Sequence, residues 1–275
     1  MVVVENKEVF IMNNKEKLDQ SKNERLGEIN ISNEGYEMKI IEYKDANHII
    51  IKFQDKHNAK VSTKYSHFKN GQVKNPYHPS VCGIAYYGQG KYKSRGEDGK
   101  KTKAYITWIH MIKRCYDPYF INKNLTYIDC YVCDEWLNFQ NFAEWFYKHY
   151  YEVSNEIMQL DKDILIKGNK IYSPKTCLIV PQRINDLFVK QQRKRGEYPI
   201  GVNPNKINNC LVVQCQTLEK SEYLGCFPLD KPFQAFIAYK NYKENYIKQV
   251  ADEYKDLIPQ KLYEALYRYK VEIND

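Results

Sequence analysis

The spacing of apolar residues changes character along the chain, and each change predicts a different kind of element. Residues 1–24 are polar and rich in Asn, Lys and Glu, with no apolar period, and are expected to be a flexible N-terminus. From Arg25 to about Lys93 apolar residues alternate with polar ones in short β-rich runs. Two of these, "YEMKIIEYK" and "NHIIIKFQD", are set off by Asn-Glu-Gly and Asp-Ala-Asn turns. That length and period predict strands. Asn75-Pro76 and the glycines Gly83, Gly88 and Gly90 punctuate the end of the segment. A small antiparallel sheet or barrel is the expected product. The polar run "KSRGEDGKKTK" then reads as a linker, placed at residues 94–104.

Beyond the linker the period lengthens. Tyr105, Trp108, Ile109, Ile112 and Tyr116 recur at helical spacing, as do Phe139, Phe142, Ala143 and Phe146. These stripes predict two amphipathic helices around "TYIDCYVCDEWL", with the aromatic residues in the core. In "LDKDILIKGNKIYSPKTCLIVPQRIN" a strand near Leu160, a long hairpin loop and a strand over Cys177 to Val180 are expected. A helix with Pro181 at its first position should follow. "VKQQRKRGEYP" is a basic tether. The runs "GVNPN", "CLVVQCQ" and "SEYLGCF" read as strands. A helix from about Lys231 carries Phe236, Tyr239, Tyr246, Val250 and Tyr254, and Pro259 opens a last helix with Leu262 and Leu266 inward. The expected fold class is α+β, with no internal repeat.

Composition sharpens this only a little. The 275 residues are 43% apolar and carry a formal net charge of +8. That makes a globular chain with a modest preference for polyanions. An A/T-rich coding sequence, which favours Lys, Asn, Ile and Tyr, accounts for the same bias. No run nears the ~18 apolar residues of a membrane span, so no membrane partner is expected. The opening residues make a poor signal peptide. Eight cysteines in a chain of intracellular character predict thiols and no disulfides.

The candidate chemistry centres on the hairpin segment. A strand–strand–helix finger binds one divalent metal with a carboxylate at the end of its first strand and an Asn or His on its helix. Asp161 and Asn185 stand at those places, and Asn169 is placed to tie the hairpin loop. On residues alone, a turn cap and a surface amide are the commoner roles for such a pair. Cys115, Cys130, Cys133 and Cys177 number enough to close a tetrahedral zinc site; the other reading is small buried core residues. Cys210, Cys215 and Cys226 read as core. In "CLVVQCQ", period-two alternation puts Leu211, Val213 and Cys215 inward and Val212, Gln214 and Gln216 outward.

The pieces "YITWIHMIKRCY", "CYVCDEWLNFQNFAEWF" and "LDKDILIKGNKIYSPKTCLIVPQRINDLF", in this order and spacing, resemble the HNH (ββα-metal) endonucleases of phages, particularly the homing type. The resemblance covers about residues 105–188. It implies a nuclease domain at 105–190 that hydrolyses phosphodiester bonds with magnesium or manganese held by Asp161 and Asn185. Two positions depart from the pattern. The general-base His of the family falls on Lys162, and its central Asn on Thr176. An ammonium is a poor base near neutrality, so Lys162 is expected to act as a point charge on the scissile phosphate or to give slow cleavage.

"YPIGV", "YLGCF" and the helix after them resemble the sheet-plus-helix DNA-binding domain of the ethylene-response-factor type. That implies a C-terminal domain at 198–275 behind a tether at 191–197, with the β-rich module at 25–93. Double-stranded DNA is the implied partner, and the cytoplasm of a bacterial host the implied location. Lys190, Arg193, Lys194 and Arg195 suit phosphate contacts, and Asn203, Lys206, Gln214 and Gln216 complete the expected DNA-contacting set. Two other readings stay open: a DNA-binding protein on the same scaffold with weak or no cleavage, such as a regulator or a protein acting against host defence, and a protein-interaction module. The missing His separates nuclease from binder, and salt-dependent DNA binding separates both from the third.

Overall fold

The structure is a computed structural model that describes residues 14–188, 197–273 and 275. Helices and sheets are both abundant, so the α+β class holds. The described residues form two compact units, one within 14–92 together with 137–140, the other within 93–136 together with 141–275.

In the first unit, α1 (Asn14–Arg25) leads into a four-stranded antiparallel sheet of sequential order: β1 (Ile29–Ile31), β2 (Glu37–Asp45), β3 (His48–Phe53) and β4 (Lys60–Thr63). Helix α1 lies where a flexible N-terminus is expected. Its residues are good helix formers without an apolar stripe, so periodicity carries no sign of it. One face of the sheet is dry. Met38, Ile40, Tyr43, Ile49, Ile51 and Phe53 pack with Phe68 of α2 (Tyr65–Lys69). The loop after α2 is pinned by Asn75, whose amide donates to Asp55 at 2.7 Å while its backbone N–H donates to Glu34 at 2.8 Å.

The second unit begins at Lys93 and takes in the expected linker. Residues 95–101 close on themselves, with Arg95 bridging Lys101 and the Gly96 N–H donating to the Lys100 carbonyl. Thr102 then caps α3 (Lys103–Tyr116) by accepting the Tyr105 N–H. Asp117 caps α4 (Pro118–Lys123), which has Pro at its first position. A 3-10 turn (Leu125–Tyr127), β5 (Tyr131–Val132), α5 (Asp134–Leu137) and α6 (Phe139–His149) follow. The aromatic stripes are core, as their spacing predicts. Trp108, Trp136, Phe142 and Phe146 are buried, and the Trp108 indole donates to the Trp136 carbonyl at 2.7 Å.

The hairpin strands are β6 (Met158–Asp161) and β8 (Leu178–Pro181), paired antiparallel, with β7 (Ile171–Tyr172) from the loop between them pairing in parallel with β5. Helix α7 (Gln182–Asp186) follows β8 directly. Pro181 thus ends the strand and caps the helix, one step before the expected first helical position. Lacking an N–H, it suits either place. The three-stranded sheet has β10 (Cys210–Gln216) between β9 (Val202–Asn205) and β11 (Ser221–Pro228), and helices α8 (Pro232–Glu253) and α9 (Gln260–Arg268) follow. The alternation in β10 is as expected, with Leu211, Val213 and Cys215 fully buried.

One expectation fails here. Cys210 and Cys226 form a disulfide between β10 and β11, with Cα atoms 6.2 Å apart. The hairpin register brings them together, and residue type alone does not reveal register. The hairpin with α7 and the C-terminal sheet each have a core of their own, and one helix serves both. Helix α8 packs Ala235, Phe236 and Tyr239 on the β9–β11 sheet. Its later residues Ile247, Val250 and Ala251 pack on Ile164, Val180, Ile184 and Leu187 of the hairpin and α7. At 22 residues it is about 33 Å long, enough to serve both cores.

Candidate functional site

The loop between β6 and β8 is held by its own polar residues. Asn169 donates through Nδ2 to the carbonyls of Lys162 (2.9 Å) and Ile171 (2.7 Å), and its Oδ1 accepts the Ile171 N–H. This is the tie expected of it. Thr176, where the resemblance implied an Asn, donates its hydroxyl to the Ile171 carbonyl at 2.8 Å, so the position is structural.

Asp161 ends β6 opposite Leu178. Its Oδ1 accepts two backbone N–H groups, from Asp163 at 2.8 Å and Ile164 at 2.7 Å, which fixes the turn out of the strand. No group among the described residues hydrogen-bonds Oδ2. Burial pushes the carboxyl above its ordinary range, and the charge of Asp163 adds to that against the pull of the two N–H groups. Asp161 therefore plays the turn-capping role and still keeps one oxygen for a ligand.

Lys162 points away from any role as a base. The residue is 7% exposed, and its ammonium donates to Asp163 Oδ2 and to the Asn169 carbonyl, each at 2.7 Å. Burial alone lowers the pKa of an ammonium. The hydrogen bond and charge of Asp163 outweigh that, and Lys162 titrates above its ordinary value. It is a fixed cation that staples the loop.

Asn185, on α7, folds back toward the first strand as expected, and its Nδ2 donates to Gln159 Oε1 at 2.6 Å. Its Oδ1 has no hydrogen-bond partner among the described residues. Asp161, Lys162, Asn169 and Asn185 all line one cavity of about 520 Å³. Four cations border it. Lys162 is paired with Asp163 and Lys167 with Asp275, whereas Arg114 and Lys170 have no carboxylate partner among the described residues. Among the described residues Lys170 donates only to carbonyls, those of Thr126 and Ile128. The Arg114 guanidinium, half-buried, lies 5.8 Å from the centroid of the Tyr127 ring, with the Tyr172 hydroxyl beside it. Sequence reasoning passed over both cations. Their one signal is that Arg114 breaks the apolar end of α3 next to buried Cys115.

Oxygen donors for a hard cation are present, though few. Asp161 and Asn185 line the same cavity, and among the described residues neither Asp161 Oδ2 nor Asn185 Oδ1 has a hydrogen-bond partner. A magnesium or manganese ion held there would keep several waters or phosphate oxygens among its ligands. The thiols make no comparable set. Among the described residues, no three or more His, Cys, Asp or Glu side chains come together in a group that could hold a metal. Cys115, Cys130 and Cys177 are buried, and burial raises the Cys115 and Cys177 thiols to about 12, so they are protonated near neutrality.

Of the expected DNA contacts, Lys190, Arg193, Lys194 and Arg195 lie outside the described residues. Asn203, Gln214 and Gln216 are exposed on the open face of the β9–β11 sheet, and Lys206 is exposed in the turn after β9. Asn203 stands opposite Val212, and Gln214 opposite Tyr223. Among the described residues no helix is long and apolar enough to cross a membrane. The chain matches no protein-family model, and no curated protein or solved structure shows significant similarity to it.

Proposed function

We propose that this chain is a duplex-DNA-binding protein built on an HNH-type hairpin–helix scaffold, in which the cavity beside Asp161 takes a backbone phosphate and hydrolysis is slow or lost. One observation carries the reading: Arg114 and Lys170 border that cavity with no carboxylate among the described residues to neutralise them. A half-buried guanidinium costs desolvation energy, and an anionic oxygen offsets it with charge-assisted hydrogen bonds. The planar fork of Arg114 suits two oxygens of one phosphate. Lys162 supports the loss of rate, because a loop-bound ammonium titrating above its ordinary value removes no proton from water near neutrality.

A second reading, metal-dependent cleavage, is favoured by the two oxygens left open at Asp161 and Asn185. A divalent ion there would supply Lewis-acid stabilisation of the leaving oxyanion. In that case Asp161 would hold the ion and its own turn at once, Asn185 would add a neutral oxygen, and Arg114 would orient the phosphate. The test is incubation of supercoiled plasmid with the protein and magnesium or manganese, with Asp161→Ala in parallel. Binding without nicking supports the first reading, and nicking lost in Asp161→Ala supports the second. Neither binding nor nicking sinks both, leaving the protein-interaction reading.

A further inference from the structure

We infer that the outer face of the β1–β4 sheet is a second duplex-DNA-binding surface, gripping one backbone strand with a transverse row of lysines. This surface is independent of the cavity beside Asp161. In the sheet register Lys39 of β2 stands directly opposite Lys52 of β3, and Lys52 directly opposite Lys60 of β4. Three like charges thus sit side by side across three adjacent strands. Lys39 and Lys60 are exposed and Lys52 half-buried. No carboxylate among the described residues forms an ion pair with any of the three. Lys39 and Lys52 alternate with core residues, Met38 and Ile40 around Lys39, Ile51 and Phe53 around Lys52. The row therefore belongs to the open face, and the fold does not need its charge.

Like charges directly opposite in a sheet are destabilising. Neighbouring positions show what would relieve this one. On the same face, Glu42 stands opposite Ile50, and Ile50 opposite Ser62, a mixed row with no such conflict. A polyanion with regularly spaced charges neutralises the lysine row in place. With strands ~4.8 Å apart, the row is about 10 Å long. Three ammonium groups on flexible four-carbon stems, spread over that length, can reach about three successive phosphates of one strand. Lysines here, as compact point charges, fit phosphate oxygens rather than base edges, so the surface adds affinity without reading sequence.

The test uses the whole chain and a labelled duplex. Binding is followed by fluorescence anisotropy across a salt series for the wild type, the triple variant Lys39→Gln/Lys52→Gln/Lys60→Gln, and Arg114→Gln. With three fewer phosphates neutralised, the slope of log affinity against log salt should flatten by about 2.7. The melting temperature of the triple variant should stay level or rise, because repulsion is removed; a purely structural row would lower it. A slope unchanged in the triple variant overturns the inference, whatever Arg114→Gln does. A slope unchanged in Arg114→Gln but flattened in the triple variant leaves this surface standing and removes the cavity. Wild-type binding to polyglutamate as tight as to DNA, abolished equally in the triple variant, marks an acidic-protein surface and overturns the assignment to DNA.

Discussion

Replacing Lys162 by Met tests whether this residue is a loop staple or a base. The change keeps an unbranched side chain, one atom shorter, and removes its charge. It takes away two hydrogen bonds of 2.7 Å, to the Asp163 carboxylate and the Asn169 carbonyl. Hydrogen bonds involving a charged group are worth about 1.5–3 kcal/mol each. The Asp163 side chain is 47% exposed, so water replaces much of that partner, and Met recovers some apolar burial. The net loss is about 2 kcal/mol, or a melting temperature about 4–8 °C lower for a unit of this size. The pH profile is the sharper readout. A folded pKa above the ordinary 10.5 makes the contribution of Lys162 complete below that value and lost as pH rises through the folded pKa. The stability gap between wild type and Lys162→Met should therefore be constant from about pH 6 to about pH 9 and close only above about 10.5. Thermal melts across that range decide it. A gap that fades between about pH 7 and about pH 9, or no gap at any pH, refutes the staple and returns Lys162 to the candidates for a base.

Other outcomes follow from the same geometry. Asp161→Asn keeps the acceptor for both backbone N–H groups and removes a buried charge, so it should melt at or above the wild type near neutral pH. Because burial raises the Asp161 pKa above 3.8, that advantage should vanish as pH falls below about 4. Asp161→Ala should instead lose about 1–3 kcal/mol, and equal melting of all three proteins near neutral pH contradicts the capping role. A thiol assay of the denatured, unreduced protein should find the six cysteines outside the Cys210–Cys226 bridge, and eight would mean that the bridge is absent. At Gly201, φ is +78° and an added Cβ would lie 2.0 Å from the Tyr239 ring, so Gly201→Ala should cost about 2–4 kcal/mol, measurable by urea denaturation.

The legible parts of this chain were those with a period. The strands of the first sheet, the aromatic core helices and the inward set of β10 could be read because burial repeats every two or three to four residues. Asn169 could be read from its place in a turn. What stayed hidden depends on pairing across distance. Helix α1 has no apolar stripe to announce it. The Cys210–Cys226 bridge depends on which residues of β10 and β11 face each other. A basic run suggested a domain boundary, yet α8 carries two apolar faces in succession and joins the cores on either side. At the site, Asp161, Lys162 and Asp163 are adjacent in sequence, so the acid that captures the ammonium was in view. The carbonyl of Asn169 that completes the lock was not. Arg114 and Lys170 reach the same cavity from the end of α3 and from the loop, a convergence only the fold supplies.

The most direct test of the central claim is the salt dependence of duplex-DNA binding by the wild type and Arg114→Gln, read by fluorescence anisotropy without added divalent metal. A phosphate seated on Arg114 predicts measurable binding at low salt that weakens steeply as salt rises. The slope should be shallower by about 0.9 in Arg114→Gln, which neutralises one phosphate fewer. Absence of binding at low salt, or identical slopes for the two proteins, would contradict it.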